Sequence, residues 1–280
     1  MTVRAYAKIN IGLHLLRKRP DGYRDIETVF HRIDLYDEIA FAPSASVTLR
    51  STDASIPADE TNLCVKAALL LRKRCSVGEG TAMTLTKRIP AGAGLGGGSS
   101  DAAATLLGLA QFWRLAPSRD ELAALALELG SDVPYFLGTG SAYGRGRGEL
   151  LESLPIEIPW WIVVATPDVH VSTAWAYEHS AIPPHHGGPS LKESVTAHLG
   201  DPKRYLTLVR NDFEPLVLRT YPAVAAAKQA LYLAGSEFAQ LSGSGSSVYG
   251  LFREEAHARA AVAALPECRT SLTAPGFRPG

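Results

Sequence analysis

Lys87-Arg-Ile-Pro-Ala-Gly-Ala-Gly-Leu-Gly-Gly-Gly-Ser-Ser-Asp-Ala-Ala-Ala104 reads as the end of a strand, a glycine loop and the start of a helix. Met83, Leu85 and Ile89 alternate with polar residues, the period of a half-buried strand. Pro90 has no N–H to give to a ladder and ends that strand. Five glycines then fall within the seven positions 92–98. Such a loop brings bare backbone against a ligand and adopts positive φ without strain. Ser99 and Ser100 are candidate N-cap hydroxyls for an apolar, alanine-rich helix over residues 102–113. A helix start carries unpaired N–H groups and partial positive charge, so an anion belongs there. The segment predicts a phosphate cradle. A flexible Gly/Ser linker is the bland alternative, but a linker would leave spare residues between strand and helix, and here there are none.

Gly92-Ala-Gly-Leu-Gly-Gly97 fits G-x-G-x-x-G, a pattern that is weak on its own. A dinucleotide fold would close its second strand with an acidic residue about 20 positions on. Asp120 and Glu121 stand at that distance, but they open a helix. No Lys follows Gly97, so the Walker loop fails. His-Arg-Asp and Asp-Phe-Gly are both absent, which removes the protein kinases.

The 280 residues suggest two domains, and 46% hydrophobic content fills two ordinary cores. Lys plus Arg balance Asp plus Glu at 28 each, which argues against a general nucleic-acid or membrane-surface binder. Two basic clusters remain. Arg17-Lys-Arg19 is a candidate to face phosphates, and Arg72-Lys-Arg74 reads as a solvated helix end. Cys64, Cys75 and Cys268 lack metal spacing and are odd in number, which suits a reducing compartment. The N-terminus has no long apolar stretch and no run approaches membrane-spanning length. The expectation is a soluble cytoplasmic enzyme with no nucleic-acid or membrane partner. No repeat recurs at solenoid periods.

Val3, Ala5, Ala7, Ile9, Ile11, Leu13 and Leu15 hold alternate positions of a long opening strand. Its other face carries Arg4, Tyr6, Lys8 and Asn10, the last two about 7 Å apart. Taken alone, Lys8 and Asn10 read as polar residues of an exposed edge. Pro20-Asp-Gly-Tyr23 makes a turn, followed directly by Arg24. Tyr23 is either a core aromatic or a flat stacking surface. Strand patterns cover residues 33–41 and 46–50. A helix over residues 63–72 is capped by Thr61 or Asn62. Ser118-Arg-Asp-Glu121 is a capping box for a helix that Gly130 stops. Asp132 follows in Ser131-Asp-Val-Pro134. It either caps the next turn or is a carboxylate held beside apolar residues, a place for a base or an orienting acid.

Residues 138–148 hold five glycines together with Arg145 and Arg147, and a domain boundary is placed after them. Trp160-Trp-Ile-Val-Val-Ala165 opens the second domain as a buried strand, and a short helix from Val171-Ser-Thr173 carries Trp175 and Tyr177. His185 and His186 have no carboxylate or cysteine at ligand spacing and read as part of a surface loop. Helices are expected over residues 191–199, 202–209 and most of 212–233, broken at Pro215 and Pro222. Strands at 238–242 and 248–252 bracket Gly243-Ser-Gly-Ser-Ser247, whose amides are candidates for a second phosphate contact. A helix over 254–265 and a strand over 269–273 complete a small α+β sandwich.

Three separated segments resemble the three motifs of the GHMP small-molecule kinases (galacto-, homoserine, mevalonate and phosphomevalonate kinases). They are Ala5-Tyr-Ala-Lys-Ile-Asn10, residues 90–104 and Leu241-Ser-Gly-Ser-Gly245. Arg19-Pro-Asp-Gly-Tyr23, Gly94-Leu-Gly-Gly-Gly-Ser-Ser-Asp101 and Gly130-Ser-Asp-Val-Pro134 carry a closer match, to members acting on a cytidine-diphosphate-linked alcohol. The resemblance spans nearly the whole chain.

That resemblance implies an α+β, two-domain GHMP kinase fold. Residues 1–154 would form a ribosomal-protein-S5-domain-2-like N-terminal domain with the ATP loop and catalytic residues. Residues 155–280 would form a ferredoxin-like C-terminal domain on the substrate side. The implied reaction moves the γ-phosphoryl of ATP, accompanied by Mg²⁺, to the 2-hydroxyl of the cytidine-diphosphate-linked methylerythritol, on the non-mevalonate route to isoprenoid precursors. No tightly bound protein metal is expected, Ser100 is a possible Mg²⁺ ligand, and the chain would be a monomer or homodimer.

The resemblance also assigns residues. ATP would rest on Pro90, Ala91, Gly92, Ala93, Gly94, Leu95, Gly96, Gly97, Gly98, Ser99 and Ser100, with its base near Asn62 and Lys87. Lys8 and Asp132 would be the catalytic pair, Asp132 accepting the hydroxyl proton or orienting it. Asn10, Tyr23, Arg24, Thr173 and Tyr177 would line the substrate pocket. The family usually has His where Arg24 stands. Arg is donor-only and always charged, so it would donate to the cytosine or reach a diphosphate instead. Other readings are a GHMP kinase for homoserine, mevalonate or a sugar, and a nucleotide-binding regulator without catalysis. Retention of both Lys8 and Asp132 speaks against the regulator.

Overall fold

A computed structural model describes residues 1–183 and 188–279. His185 and His186 lie outside the described residues. The chain forms two compact units interleaved in sequence. The first gathers Met1–Ala7, Tyr36–Ala91 and Gly96–Thr139; the second gathers Lys8–Leu35, Gly92–Leu95 and the described residues from Gly140 onward. Two long strands, β1 (Thr2–Lys18) and β2 (Arg24–Ser44), each contribute residues to both units. β2 is far longer than the 33–41 run suggests, because its early residues find a partner strand of their own.

In the first unit, β3 (Val47–Ser51) runs parallel to β4 (Gly80–Thr86). β4 is antiparallel to the second half of β2, from Glu38↔Thr86 to Ser44↔Gly80. Three helices accompany this sheet: α1 (Leu63–Arg74), α2 (Gly97–Phe112) and α3 (Arg119–Leu129). Asn62 caps α1 through the Cys64 N–H, and Arg72, Lys73 and Arg74 sit in its last turn, where the helix dipole favours cations. The Ser118/Glu121 capping box opens α3 as read. Gly108 brings α2 close to β2, since a Cβ there would lie 2.6 Å from the Phe41 ring. Phe41, Leu71, Met83, Leu85, Leu106 and Leu109 are buried in this core.

In the second unit, β1 turns into β2 through residues 19–23, where the Arg19 N–H donates to the Tyr23 carbonyl (2.8 Å) and Gly22 takes φ +87°. The glycine-rich stretch near 140 leads into a hairpin. β5 (Ser141–Gly146) pairs with β2 from Ile26↔Gly146 to Phe30↔Ala142, and β6 (Leu150–Leu154) pairs with β5. Gly144 is required there, because a Cβ would meet the Phe30 ring at 2.6 Å. A second, antiparallel sheet has the order β10 (Cys268–Thr273), β7 (Trp161–Pro167), β9 (Val248–Phe252), β8 (Phe238–Leu241). With it go α4 (Thr173–His179), α5 (Leu191–Ala197), α6 (Pro202–Leu208), α7 (Glu214–Thr220), α8 (Pro222–Leu233) and α9 (Glu255–Ala263). Pro222 separates α7 from α8, while Pro215 sits harmlessly in the first turn of α7. Val163, Phe213, Val217, Leu231, Leu241, Val248 and Phe252 share the core.

Arg17 and Arg19 are engaged by carboxylates of their own hairpin. Arg17 pairs with Asp25, and Arg19 pairs with Asp21 (3.0 Å) and Asp25 (3.0 Å). Hydrogen bonds from these guanidinium groups hold the Asp21 and Asp25 carboxyls below the ordinary range. The described cysteines are all free, and no helix among the described residues is long and apolar enough to cross a membrane.

Candidate active site

Three glycines give the loop its course: Gly92, Gly94 and Gly96 take φ of +63°, +78° and +69°. Ala91, Gly92 and Gly98 are exposed, whereas Ala93, Leu95, Gly97 and Ser100 are buried. The loop thus has an open outer side and a packed underside. Residues 92–95 are gripped within the second unit. The Ser242 hydroxyl donates to the Gly94 carbonyl (2.9 Å), the Ser247 N–H to the Ala93 carbonyl (3.1 Å) and the Lys8 N–H to the Leu95 carbonyl (3.0 Å). The amides of Ser242, Gly245 and Ser247 are all spent in the Ser-Gly loop or on Ala93. That loop braces the glycine loop, and these three of its amides are not open to a second phosphate contact.

Gly96, in the left-handed conformation, is the N-cap of α2, and no side chain caps the helix. Ser99 and Ser100 are therefore not caps but lie inside the first turn and at its end, and the helix begins five residues earlier than the apolar run implies. The Ser100 hydroxyl donates to the Tyr6 carbonyl (2.7 Å). With no capping oxygen and no acidic residue in the first turn, the N-terminal amides of α2 suit an anion.

Lys8 is buried (4% exposed) and not an edge residue in solvent. Its ammonium donates to Asn10 Oδ1 (2.5 Å) and to the Gly94 carbonyl (3.1 Å), and it lies 5.4 Å from the Phe30 ring centre. Asn10 Nδ2 donates to the Thr28 hydroxyl (2.9 Å), which donates onward to the Gly12 carbonyl (2.6 Å). Both ends of the Asn10 amide are thus committed, and Asn10 holds the ammonium against the loop. Asp132 is half-buried in the first unit, after Gly130 ends α3. It precedes a short 3₁₀ helix, Val133–Leu137, but its side chain makes no capping bond to that helix.

The Lys87 ammonium is enclosed, donating to Asp37 Oδ2 (2.5 Å) and Asp101 Oδ2 (2.8 Å). Burial opposes its charge, but the two carboxylates outweigh burial and raise its pKa. Burial, with Asp37 adding to it, pushes Asp101 well above the ordinary carboxylate range against the pull of Lys87. Asn62 is likewise committed at both ends, Oδ1 to the Cys64 N–H (2.8 Å) and Nδ2 to the Pro57 carbonyl (2.8 Å).

The five substrate-side candidates all belong to the second unit. Tyr23 is 56% exposed, with the Arg147 guanidinium 4.9 Å from its ring centre. Arg24 donates to the Ser180 carbonyl (2.8 Å). Thr173 opens α4 and shares a hydrogen bond with Ser244 (2.9 Å); Tyr177, one turn on, meets Phe213 edge-on at 4.9 Å. Sequence reasoning missed Thr28 and Asp37. A signal for Asp37 existed: a carboxylate in the apolar run 33–41 has to be exposed or paired.

The GHMP kinases N terminal domain family matches residues 62–140 and the GHMP kinases C terminal family matches residues 191–269. A Chlorobium limicola protein named 4-diphosphocytidyl-2-C-methyl-D-erythritol kinase is 46% identical over 281 residues, covering 99% of this chain and 98% of its own. The chain belongs to the GHMP kinases. A Salinibacter ruber protein of the same name is 45% identical, covering 96% of each chain. Among solved structures, a crystal structure of 4-(cytidine 5'-diphospho)-2C-methyl-D-erythritol kinase superposes with a TM-score of 0.82 at 34% identity, covering 99% of this GHMP kinase and 100% of that chain. A mevalonate kinase shares the fold alone, with a TM-score of 0.70 at 14% identity. The two-domain α+β GHMP kinase fold with two sheets stands, as does a small-molecule phosphotransferase that uses ATP.

Proposed function

We propose that this GHMP kinase transfers the γ-phosphoryl of ATP to the 2-hydroxyl of 4-diphosphocytidyl-2-C-methyl-D-erythritol, giving the 2-phosphate and ADP on the non-mevalonate isoprenoid route. The observation that carries this reading is 46% identity over 99% of the chain to a relative of that name. Phosphoryl transfer asks for positioning and charge stabilisation more than for covalent chemistry. The triphosphate rests on residues 90–100, with the base toward Asn62 and Lys87. Since both side chains are committed to the protein, they shape that wall and do not reach out to the base. As the bond from Pγ to the β-bridging oxygen breaks and the bond to the acceptor oxygen forms, Asp132 takes the hydroxyl proton. Lys8, anchored by Asn10 and Gly94, steadies the negative charge that develops. Tyr23, Arg24, Thr173 and Tyr177 form the cytidine side; Asn10, its amide committed to Lys8 and Thr28, supports that side and does not reach out to the substrate.

Mg²⁺ belongs with the triphosphate. The ion would be carried in on the nucleotide phosphates with few protein ligands. Ser100 is the candidate protein ligand, and the ion would neutralise phosphate charge there. The reading includes a domain boundary after Leu154, a cytoplasmic location, and a monomer or homodimer. A coupled ADP-release assay tests it, comparing the cytidine-diphosphate substrate with homoserine, mevalonate and galactose. Turnover of the first alone is expected. Preference for another acceptor would reassign the substrate within the family, and no turnover with any would favour a nucleotide-binding regulator.

A further inference from the structure

Asp37 lies in β2, is 0% exposed, and has been given no role in binding or catalysis so far. One oxygen of its carboxylate accepts the N–H groups of Arg88 (2.5 Å) and Ile89 (2.8 Å). The other accepts the Lys87 ammonium (2.5 Å). These three consecutive residues lead the chain from β4 to Pro90, where the glycine loop opens. Beyond the loop, the same ammonium reaches Asp101 in α2 (2.8 Å). It also lies 3.0 Å from where a Cβ on Gly97 would stand, so the ammonium approaches the first residue of α2 closely. One buried cluster of an ammonium and two carboxyl groups therefore ties the entrance of the loop to the helix at its exit.

Burying charges costs desolvation, and a well-packed apolar cluster of similar volume is often as stable or more so. Stability alone does not call for this arrangement. Its geometry does something an apolar cluster cannot, because each bond has a direction and fixes one backbone segment relative to the other.

We propose that Asp37 is a positioning residue for the nucleotide: through the Arg88 and Ile89 amides and the Lys87 ammonium, it fixes where the glycine loop leaves β4 relative to the first turn of α2. The placement of the amides that receive the triphosphate follows from it. This inference rests on the reading of residues 90–100 as the ATP site.

Asp37→Asn is the sharpest probe. The asparagine oxygen can still accept from Arg88 and Ile89, but its NH₂ then faces the Lys87 ammonium, donor against donor. MgATP affinity by calorimetry and the KM for ATP should weaken by about tenfold or more, while the KM for the second substrate stays within about twofold. Asp37→Asn with Lys87→Met removes the opposing ammonium and should recover part of the ATP affinity. If Asp37→Asn fails to fold, Asp101→Leu cuts only the tie to α2 and should raise the KM for ATP selectively. Unchanged ATP affinity in a folded Asp37→Asn or Asp101→Leu enzyme, whatever its melting temperature, overturns the inference, as does a parallel rise in both KM values. Wild-type protein that does not bind MgATP overturns the nucleotide-site reading, and this inference with it. Wild-type binding with an indifferent Asp37→Asn overturns the inference alone.

Discussion

Replacing Gly94 with alanine would place a methyl carbon 2.1 Å from the Ser242 carbonyl oxygen and 3.0 Å from its carbon. The obstacle is backbone, so no rotamer change relieves it. The φ of +78° adds a left-handed penalty of about 1–2 kcal/mol for a residue with a Cβ. To escape, the loop has to back away from Ser242 and give up two bonds to the Gly94 carbonyl. The bond from the Ser242 hydroxyl (2.9 Å) is worth about 0.5–1.5 kcal/mol, and that from the Lys8 ammonium (3.1 Å) about 1.5–3 kcal/mol. Together these come to about 3–6 kcal/mol, which in the transition state is roughly 10²–10⁴ in kcat/KM. Gly200→Ala is the control. Gly200 is exposed, lies outside the glycine loop, and a Cβ there meets nothing within 4 Å. Steady-state ADP release and thermal unfolding on both variants decide the matter. Gly94→Ala should lose activity over that range while Gly200→Ala stays close to the parent. A Gly94→Ala enzyme within about tenfold of wild type, or a Gly200→Ala enzyme equally damaged, refutes the assigned backbone contact.

Burial lowers the pKa of His31, 2.7 Å from Ser141, from 6.5 to about 4. Both folded and unfolded histidine are neutral above pH 6.5, so its contribution is complete there. As pH falls toward 4 only the unfolded chain takes up the proton, and about 3 kcal/mol of stability is lost. Urea unfolding at pH 7.5 and 4.5 should show a shallower acid loss in His31→Asn than in wild type; an identical loss would remove His31 as the cause. Tyr23→Ala should raise the KM for the cytidine substrate about 5–150-fold, the equivalent of about 1–3 kcal/mol of base stacking, with ATP affinity spared. An equal rise for both ligands contradicts the pocket assignment. Asp132→Ala should abolish detectable transfer while MgATP still binds by calorimetry, and full activity in that variant would falsify its catalytic role.

Features with local causes were legible from the chain alone. Pro222, the Ser118/Glu121 box and Gly130 punctuate the helices where the sequence places them, because caps and breakers act within a few residues. The absence of an acidic residue from the first turn of α2 was legible for the same reason. The exact start of α2 was not. Gly97 and Gly98 read as loop residues by propensity, yet they are helical, with Gly97 packed against Ile89 and the Lys87 ammonium. Tertiary packing overrides a weak local preference here. The glycine-rich hairpin of β5 was obscured in the same way, since Gly144 serves the Phe30 ring and not a turn.

The faces of β1 show where sequence periodicity stops informing. Alternation separates Lys8 and Asn10 from Ile9 and Ile11, but a period of two says only that the faces differ. It does not say what covers the polar one. An exposed edge and a buried ammonium give the same pattern along the strand. What separates them lies far away in sequence, at the Gly94 carbonyl, the Ser242 hydroxyl and Thr28. A lysine can be buried only where acceptors and aromatic faces meet its ammonium, so its burial requires those residues to converge. The resemblance of three remote motifs carried that information in advance. They are remote in sequence because the one ammonium needs acceptors from more than one of them.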